Sequence, residues 1–231
     1  MRIDGLQKMT LLDFPGRVAC TVFTAGCNFR CPFCHNAPLV TEIEETAPFT
    51  PEGVLEFLQK RKGLLDGVAV TGGEPLLQPG LDEWLGQVKA LGFAIKLDTN
   101  GSSPDKLKDL VSRGLVDYVA MDIKNSPAKY PATAGIRPEL FPAVRESAAF
   151  LLSGAVDYEF RTTVVAQFHE VSDFDEIGKW IRGAKRYFLQ PFVDSGDLIG
   201  KEPMSAPDEQ TLDAMLKTVL PYVERAEIRG Q

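Results

Sequence analysis

Six short runs of apolar and β-branched residues, 18–24, 67–71, 94–99, 118–123, 158–165 and 187–192, recur along the chain and constrain its fold more than any other feature. Each reads as a strand. The segments between them carry apolar residues at helical spacing. These are Val54, Leu55 and Leu58 after Pro51-Glu52, then Leu81, Trp84, Leu85 and Val88 after Gly80, then Leu107, Leu110 and Val111 after Ser103-Pro104-Asp105. Stretches 144–152, 174–181 and 212–219, the last after Pro207-Asp208-Glu209, complete six helices. Alternating β and α units with short connections demand right-handed crossovers and a parallel sheet. Polar residues gather just past the first four runs and near the ends of the last two. Parallel α/β barrels collect their functional groups at that carboxyl-terminal face. The pattern therefore predicts an α/β fold of the incomplete (β/α)6 barrel type, open along one side. With 231 residues, no internal repeat and no long linker, one domain spanning 1–231 is expected.

Composition narrows the function. The formal net charge is -7, and the 25 Lys and Arg residues are dispersed among 32 Asp and Glu. Nucleic-acid affinity needs clustered cations, so no nucleic acid partner is expected. The most apolar stretch, 148–156, is broken by Ser153 and falls far short of the roughly 20 residues that span a bilayer. The start, Met1-Arg2-Ile3-Asp4-Gly5, lacks the apolar core of a signal peptide. No membrane association and a cytoplasmic location are expected.

Three of the four cysteines, Cys27, Cys31 and Cys34, fall within eight positions, spaced Cys-x3-Cys-x2-Cys directly after the first strand run. In a reducing compartment such spacing points to metal rather than to disulfides. Gly26 and Pro32 keep the segment out of regular helix. Thiolates are the usual ligands of iron-sulfur clusters, and a cubane held by three leaves one iron open to a substrate or cofactor. A zinc site on Cys27, Cys31, Cys34 and His35 is the alternative. It is disfavoured because zinc sites usually draw ligand pairs from separate segments, and adjacent Cys34 and His35 serve one tetrahedral ion awkwardly. Cys20 lies inside the first strand run and reads as a small buried apolar residue.

Further motifs sit at the other strand ends. Thr71-Gly72-Gly73-Glu74-Pro75 pairs a close-approach glycine turn with a carboxylate. Asp98-Thr99-Asn100-Gly101 suits a turn in which Asn-Gly takes positive φ, and Asp122-Ile123-Lys124 ends the fourth run. Arg161 interrupts the fifth run and suits either an ion pair or a carboxylate ligand. Gln190 and Pro191 lie near the end of the sixth run. His169, beside Glu170, reads as a surface residue.

The cysteine spacing, with aromatic Phe33 before the last cysteine, resembles the signature of radical S-adenosylmethionine enzymes. The continuation Cys34-His35-Asn36 and the stretch from Thr10-Leu11-Leu12-Asp13-Phe14-Pro15-Gly16-Arg17 are similar to the glycyl-radical-enzyme activases. Within that group the closest likeness is to the activating proteins of anaerobic ribonucleoside-triphosphate reductase and of pyruvate formate-lyase. The resemblance implies a 4Fe-4S cluster on Cys27, Cys31 and Cys34 as the catalytic centre, with S-adenosyl-L-methionine on its open iron. It places Phe33, His35, Asn36, Gly72, Gly73, Glu74, Asp98, Asp122, Lys124, Arg161 and Gln190 around that cofactor. Gly72, Gly73 and Glu74 would hold its amino group, and Asp98, Thr99 and Asp122 would surround a monovalent cation beside it. Some related activases carry a histidine shortly after the proline matching Pro191, whereas this chain reads Phe192-Val193-Asp194.

The implied reaction is abstraction of hydrogen from a glycine of a partner glycyl radical enzyme, fed by a low-potential donor such as flavodoxin or ferredoxin. After the trio only Cys20 remains, too few for a second cluster. A small-molecule radical enzyme such as a deazapurine-forming synthase is one rival, though that relative tends to a longer gap between its first two cysteines. A non-enzymatic iron-sulfur or zinc protein is another, for which the motifs at 72–74 and 98–99 would have no use.

Overall fold

The computed structural model describes residues 1–230. Its strands β1 (Ile3–Thr10), β2 (Ala19–Thr24), β3 (Gly67–Gly72), β4 (Ala94–Thr99), β5 (Tyr118–Asp122), β6 (Asp157–Val164), β7 (Tyr187–Pro191) and β8 (Ala226–Ile228) form one sheet in chain order. Strands β2 to β8 pair in parallel, and β1 alone runs antiparallel, beside β2. The order ends at β1 and β8 without joining them, so the sheet is an incomplete barrel.

The helices are α1 (Pro38–Thr41), α2 (Pro51–Gln59), α3 (Leu81–Ala90), α4 (Pro104–Ser112), α5 (Tyr130–Ala134), α6 (Phe141–Leu152), α7 (Val171–Trp180) and α8 (Glu209–Val219). Local chemistry sets where they begin. The Thr50 hydroxyl accepts the Gly53 N–H ahead of Pro51, and the Asp208 carboxylate accepts the Thr211 N–H. Glu170 and Asp173 form a reciprocal capping box at the start of α7.

The six strands read from the sequence correspond to β2 through β7, and the six helices to α2, α3, α4, α6, α7 and α8. Strands β1 and β8 and the short helices α1 and α5 are additions. Two register shifts, between Ile3 and Gly5 and between Gln7 and Thr10, break the period-two pattern that would have marked β1. Strand β8 is three residues long, below what a pattern can signal.

Central strands are buried on both faces, as parallel strands under crossover helices must be. Val68, Ala69 and Val70 of β3 are at most 1% exposed, and Ile95 and Leu97 of β4 are fully buried. Leu81, Trp84, Leu85 and Val88 of α3 and Phe174 and Ile177 of α7 belong to the same cluster. Not all of the interior is apolar. Glu159 of β6, fully buried, accepts two bonds from Arg229 (2.8 and 3.0 Å) and one from the Tyr118 hydroxyl (2.9 Å). Arg229, just past β8, thereby ties the last strand into the sheet. Among the described residues no helix is long and apolar enough to cross a membrane. Phe174→Ala, which empties a fully buried site, is expected to cost about 3–5 kcal/mol, measured as a lower urea midpoint.

Candidate active site

The cysteine loop follows β2 and is shaped by backbone bonds to elements distant in sequence. Gly26, at φ +86°, donates its N–H to the Leu39 carbonyl (2.7 Å) and accepts the Glu74 N–H (2.8 Å). Arg30 donates its N–H to Ala134 O at the end of α5 (3.0 Å), while its guanidinium holds the carbonyls of Cys27 (2.6 Å) and Phe29 (2.8 Å). Two glycines make this contact possible. A Cβ on Gly73 would lie 2.1 Å from Gly26 O, and one on Gly135 would lie 2.3 Å from Arg30 O. Backbone stands where a side chain cannot.

Cys27, Cys31 and Cys34 are all free thiols and line one cavity at the carboxyl-terminal strand ends. Phe33, His35, Asn36, Gly72, Gly73, Asp98, Thr99, Asp122, Lys124, Arg161 and Gln190 line it too, so the structure gathers nearly every residue singled out from the sequence. Burial pushes the Cys31 thiol up to about 12, with Lys124 opposing, and burial likewise raises Cys27. Burial thus disfavours the thiolates of Cys27 and Cys31, a cost that a sulfur-bound metal would offset. Among the described residues, no group of three or more His, Cys, Asp or Glu is gathered tightly enough to hold one metal ion. A cubane makes no such demand, because each thiolate takes a different iron.

Glu74 stands differently from the expectation. Its side chain is fully buried and is not among the residues lining the cavity. One carboxylate oxygen accepts from the Leu76 N–H (3.1 Å) and the Thr99 hydroxyl (2.8 Å), and the other from the Asn100 N–H (2.6 Å). Burial raises this carboxyl to about 7 against those three donors. Glu74 thus joins the ends of β3 and β4, leaving Thr71, Gly72 and Gly73 to face the cavity. Asn36 fixes that turn by donating its amide to Gly72 O (2.9 Å).

The far wall is ionic. Arg161 reaches both Asp98 (3.1 Å) and Asp122 (3.0 Å), Lys96 pairs with Asp98, and Lys124 pairs with Asp122 (2.9 Å). Asp122 and Arg161 are direct partners across β5 and β6. Burial alone would raise the Asp122 carboxyl, but Lys124 and Arg161 outweigh it and hold it at about 2. Asp98 is lowered in the same way by Arg161 and Lys96 against burial. The Thr99 hydroxyl is already engaged, donating to Glu74 and accepting the Gly101 N–H (3.0 Å). The carboxylates and hydroxyl assigned from the sequence to a monovalent cation are thus held by a guanidinium, two ammonium groups and a turn.

His169 is a correction. It is 3% exposed rather than on the surface, its Nδ1 facing the Val165 N–H (3.1 Å) and its Nε2 the Lys124 carbonyl (2.9 Å). If Nε2 carries the proton, both bonds are satisfied. Its ring packs edge-on to Phe33 (6.4 Å), which also meets Phe168 (5.7 Å). A glutamate neighbour and a loop position hid this. His35 is exposed and stacks on Phe192 (5.5 Å, 20°), an aromatic at the stretch where the histidine of related activases would come. Lys96, Asn100 and Thr163 were not singled out. Lys96, 2% exposed, could be found from the lone cation it places in an apolar strand run.

An open parallel α/β sheet with a trio of thiols at its carboxyl-terminal rim defines a cofactor-dependent enzyme of barrel type. The chain belongs to the Radical SAM superfamily, whose profile matches residues 21–151; that family implies a 4Fe-4S cluster and S-adenosylmethionine. A protein of Methanocaldococcus jannaschii, provisionally named a glycyl-radical enzyme activating enzyme, is 28% identical over 98% of this chain and 95% of its own length. The 7-carboxy-7-deazaguanine synthase of Methanopyrus kandleri is 35% identical over 48% of this chain and 51% of its own. The pyruvate formate-lyase-activating enzyme of Clostridium pasteurianum is 34% identical over 54% of this chain and 52% of its own. The chain thus spans about half the length of these two. SuiB of Streptococcus suis, solved bound to S-adenosylmethionine, shares the fold with a TM-score of 0.69 at 14% identity, covering 90% of this chain and 49% of that one.

The ionic wall makes a prediction. A carboxyl held below its ordinary value contributes stability that is present above that value and is lost as pH falls through the lowered one. The depression of Asp122 is worth about 2 kcal/mol near neutrality, and because Lys124 contributes the larger share of it, Arg161→Gln is expected to cost about 1 kcal/mol through this carboxyl. The cost should shrink as pH falls from about 4 towards 2, where the carboxyls take up protons. Urea unfolding of both proteins across that range measures it, and a cost independent of pH would show the ion pairs to be idle.

Proposed function

We propose that this chain is a glycyl-radical-enzyme activase acting on a separate partner, of which anaerobic ribonucleoside-triphosphate reductase fits the sequence resemblance best. The observation carrying the reading is the single cavity that joins three free cysteines to the glycine turn at 72–73 and the ionic wall. The Methanocaldococcus jannaschii relative, matched along 95% of its own length, is named for glycyl-radical enzyme activation. The deazaguanine synthase match covers half of each protein. A single domain spanning the chain is supported by the continuous sheet and core.

Cys27, Cys31 and Cys34 would each hold one iron of a 4Fe-4S cluster, leaving the fourth iron for the amino and carboxylate groups of S-adenosylmethionine. When bound, these groups supply a one-electron reductive cleavage that yields methionine and a 5′-deoxyadenosyl radical able to take a hydrogen atom from glycine. Carbonyls of the 71–73 turn suit the N–H groups of the cofactor's amino group as acceptors. Lys124 and Arg161 suit its carboxylate, and their own carboxylate partners keep both cations in place. The ion pairs support a reading in which these side chains, rather than a monovalent cation, provide positive charge there. A cation would have to displace Arg161 from Asp98 and Asp122. Gln190 and Thr163 complete the rim on β7 and β6, and Phe29 and Phe33 lend apolar surface that would keep water from the reacting atoms.

Anaerobically reconstituted protein is expected to bind about four iron and four sulfide per chain, and, once reduced by a low-potential donor, to release 5′-deoxyadenosine from S-adenosylmethionine. Cys31→Ala should abolish both. Mixed with a glycyl radical enzyme partner, the wild type should generate the doublet of a backbone glycyl radical in electron paramagnetic resonance. Release of 5′-deoxyadenosine with no radical on any such partner would move the assignment to a small-molecule substrate.

A further inference from the structure

Asn100 stands between the glycine turn and the cysteine loop. Its backbone N–H donates to Glu74 (2.6 Å), and it is 6% exposed. Its side-chain amide is oriented by its neighbours: Oδ1 accepts the Ser102 N–H (2.9 Å), which turns Nδ2 towards Cys27 Sγ (3.7 Å) and Asn28 Oδ1 (3.0 Å). Asn28 in turn donates to the Ser102 hydroxyl (2.9 Å), closing a small polar ring. Cys27 Sγ also accepts the Phe29 N–H (3.3 Å).

The other two cysteines differ. Among the described residues neither receives a hydrogen bond at sulfur, and Cys31 instead directs its S–H to Ala134 O (3.5 Å), a contact that ends when the thiol loses its proton. Only Cys27 presents a sulfur already met by N–H donors. Such donors withdraw electron density from a thiolate, favour the reduced cluster and raise its potential.

We propose that Asn100 tunes the reduction potential of the iron-sulfur cluster by donating its Nδ2–H to the Cys27 thiolate. It acts through Cys27 and is a positioning residue. Because its main chain is held by Glu74, the donor is fixed to the same turn that presents carbonyls to the cofactor's amino group. The proposal rests on the cluster reading given above.

The test is a mediated redox titration of anaerobically reconstituted wild type, Asn100→Leu and Asn100→Asp, without S-adenosylmethionine, followed by visible absorption and electron paramagnetic resonance. Leucine keeps the bulk and lacks the donor. Aspartate keeps the acceptor for the Ser102 N–H and replaces the donor with negative charge. Both variants are expected to take up the cluster and to hold it less reduced at the wild-type midpoint. The leucine variant should fall about tenfold in reduced-to-oxidised ratio, ~59 mV for one electron, and the aspartate variant further. An unchanged midpoint in a loaded variant overturns the proposal. So does failure of both variants to load where wild type loads, since Asn100 would then be a folding residue. Wild type that takes up no cluster sinks the reading of the site itself, and this proposal with it.

Discussion

One guanidinium decides how the rim of this sheet is built. Arg161 on β6 reaches Asp98 on β4 and Asp122 on β5, so a single side chain spans three neighbouring strands. Two carboxylates facing one cavity would repel each other and resist ionisation. With Arg161 between them and Lys96 and Lys124 at either end, the row alternates in sign and both stay ionised. Buried ion pairs are weak evidence of stability in general, because desolvation offsets their attraction. Their use here is geometric. They hold Lys124 and Arg161 with few rotamers left to lose, and an anionic ligand meets cations that need not reorganise.

Across the cavity the same economy is achieved without charge alternation. Glu74 spends its carboxylate on Leu76, Thr99 and Asn100 rather than on a ligand. Thr99 ends β4 and Asn100 opens the turn after it, so a residue of the β3 turn determines the shape of the next one. Fixing the glycine turn from behind leaves its backbone facing the cavity, with the Thr71 and Gly72 carbonyls already accepting from Thr24 and Asn36. The cavity therefore has an acceptor-rich side and a cation-rich side, a division suited to the two ends of an amino acid.

The six interior strands were legible because burial on both faces leaves runs dominated by apolar and β-branched residues, and β4 (Ala94–Thr99) was bounded to the residue. Strand β1 was not, since bulges at its ends and exposed Gln7, Lys8 and Met9 leave no period to read. The site was legible as far as chemistry is local. Three cysteines in eight positions, two adjacent glycines and acidic strand ends all announce themselves in sequence. Direction is not local. Nothing in Gly72-Gly73-Glu74 says that the carboxylate turns away from the cavity, because its partners lie 25 and 26 residues further on. His169 misled for the same reason: its carbonyl partner at Lys124 is 45 residues away.

The cysteine loop is anchored to distant elements chiefly through bonds that involve no sulfur. Gly26 is held by Leu39 and Glu74, Arg30 by Ala134, and the loop's carbonyls by the Arg30 guanidinium. The loop's path is therefore fixed from α1, α5 and the turn after β3. A side chain at Gly73 or Gly135 would strike Gly26 or Arg30 and shift the thiols without touching any of them, so the spacing of the cysteines is guarded by residues that share none of their chemistry.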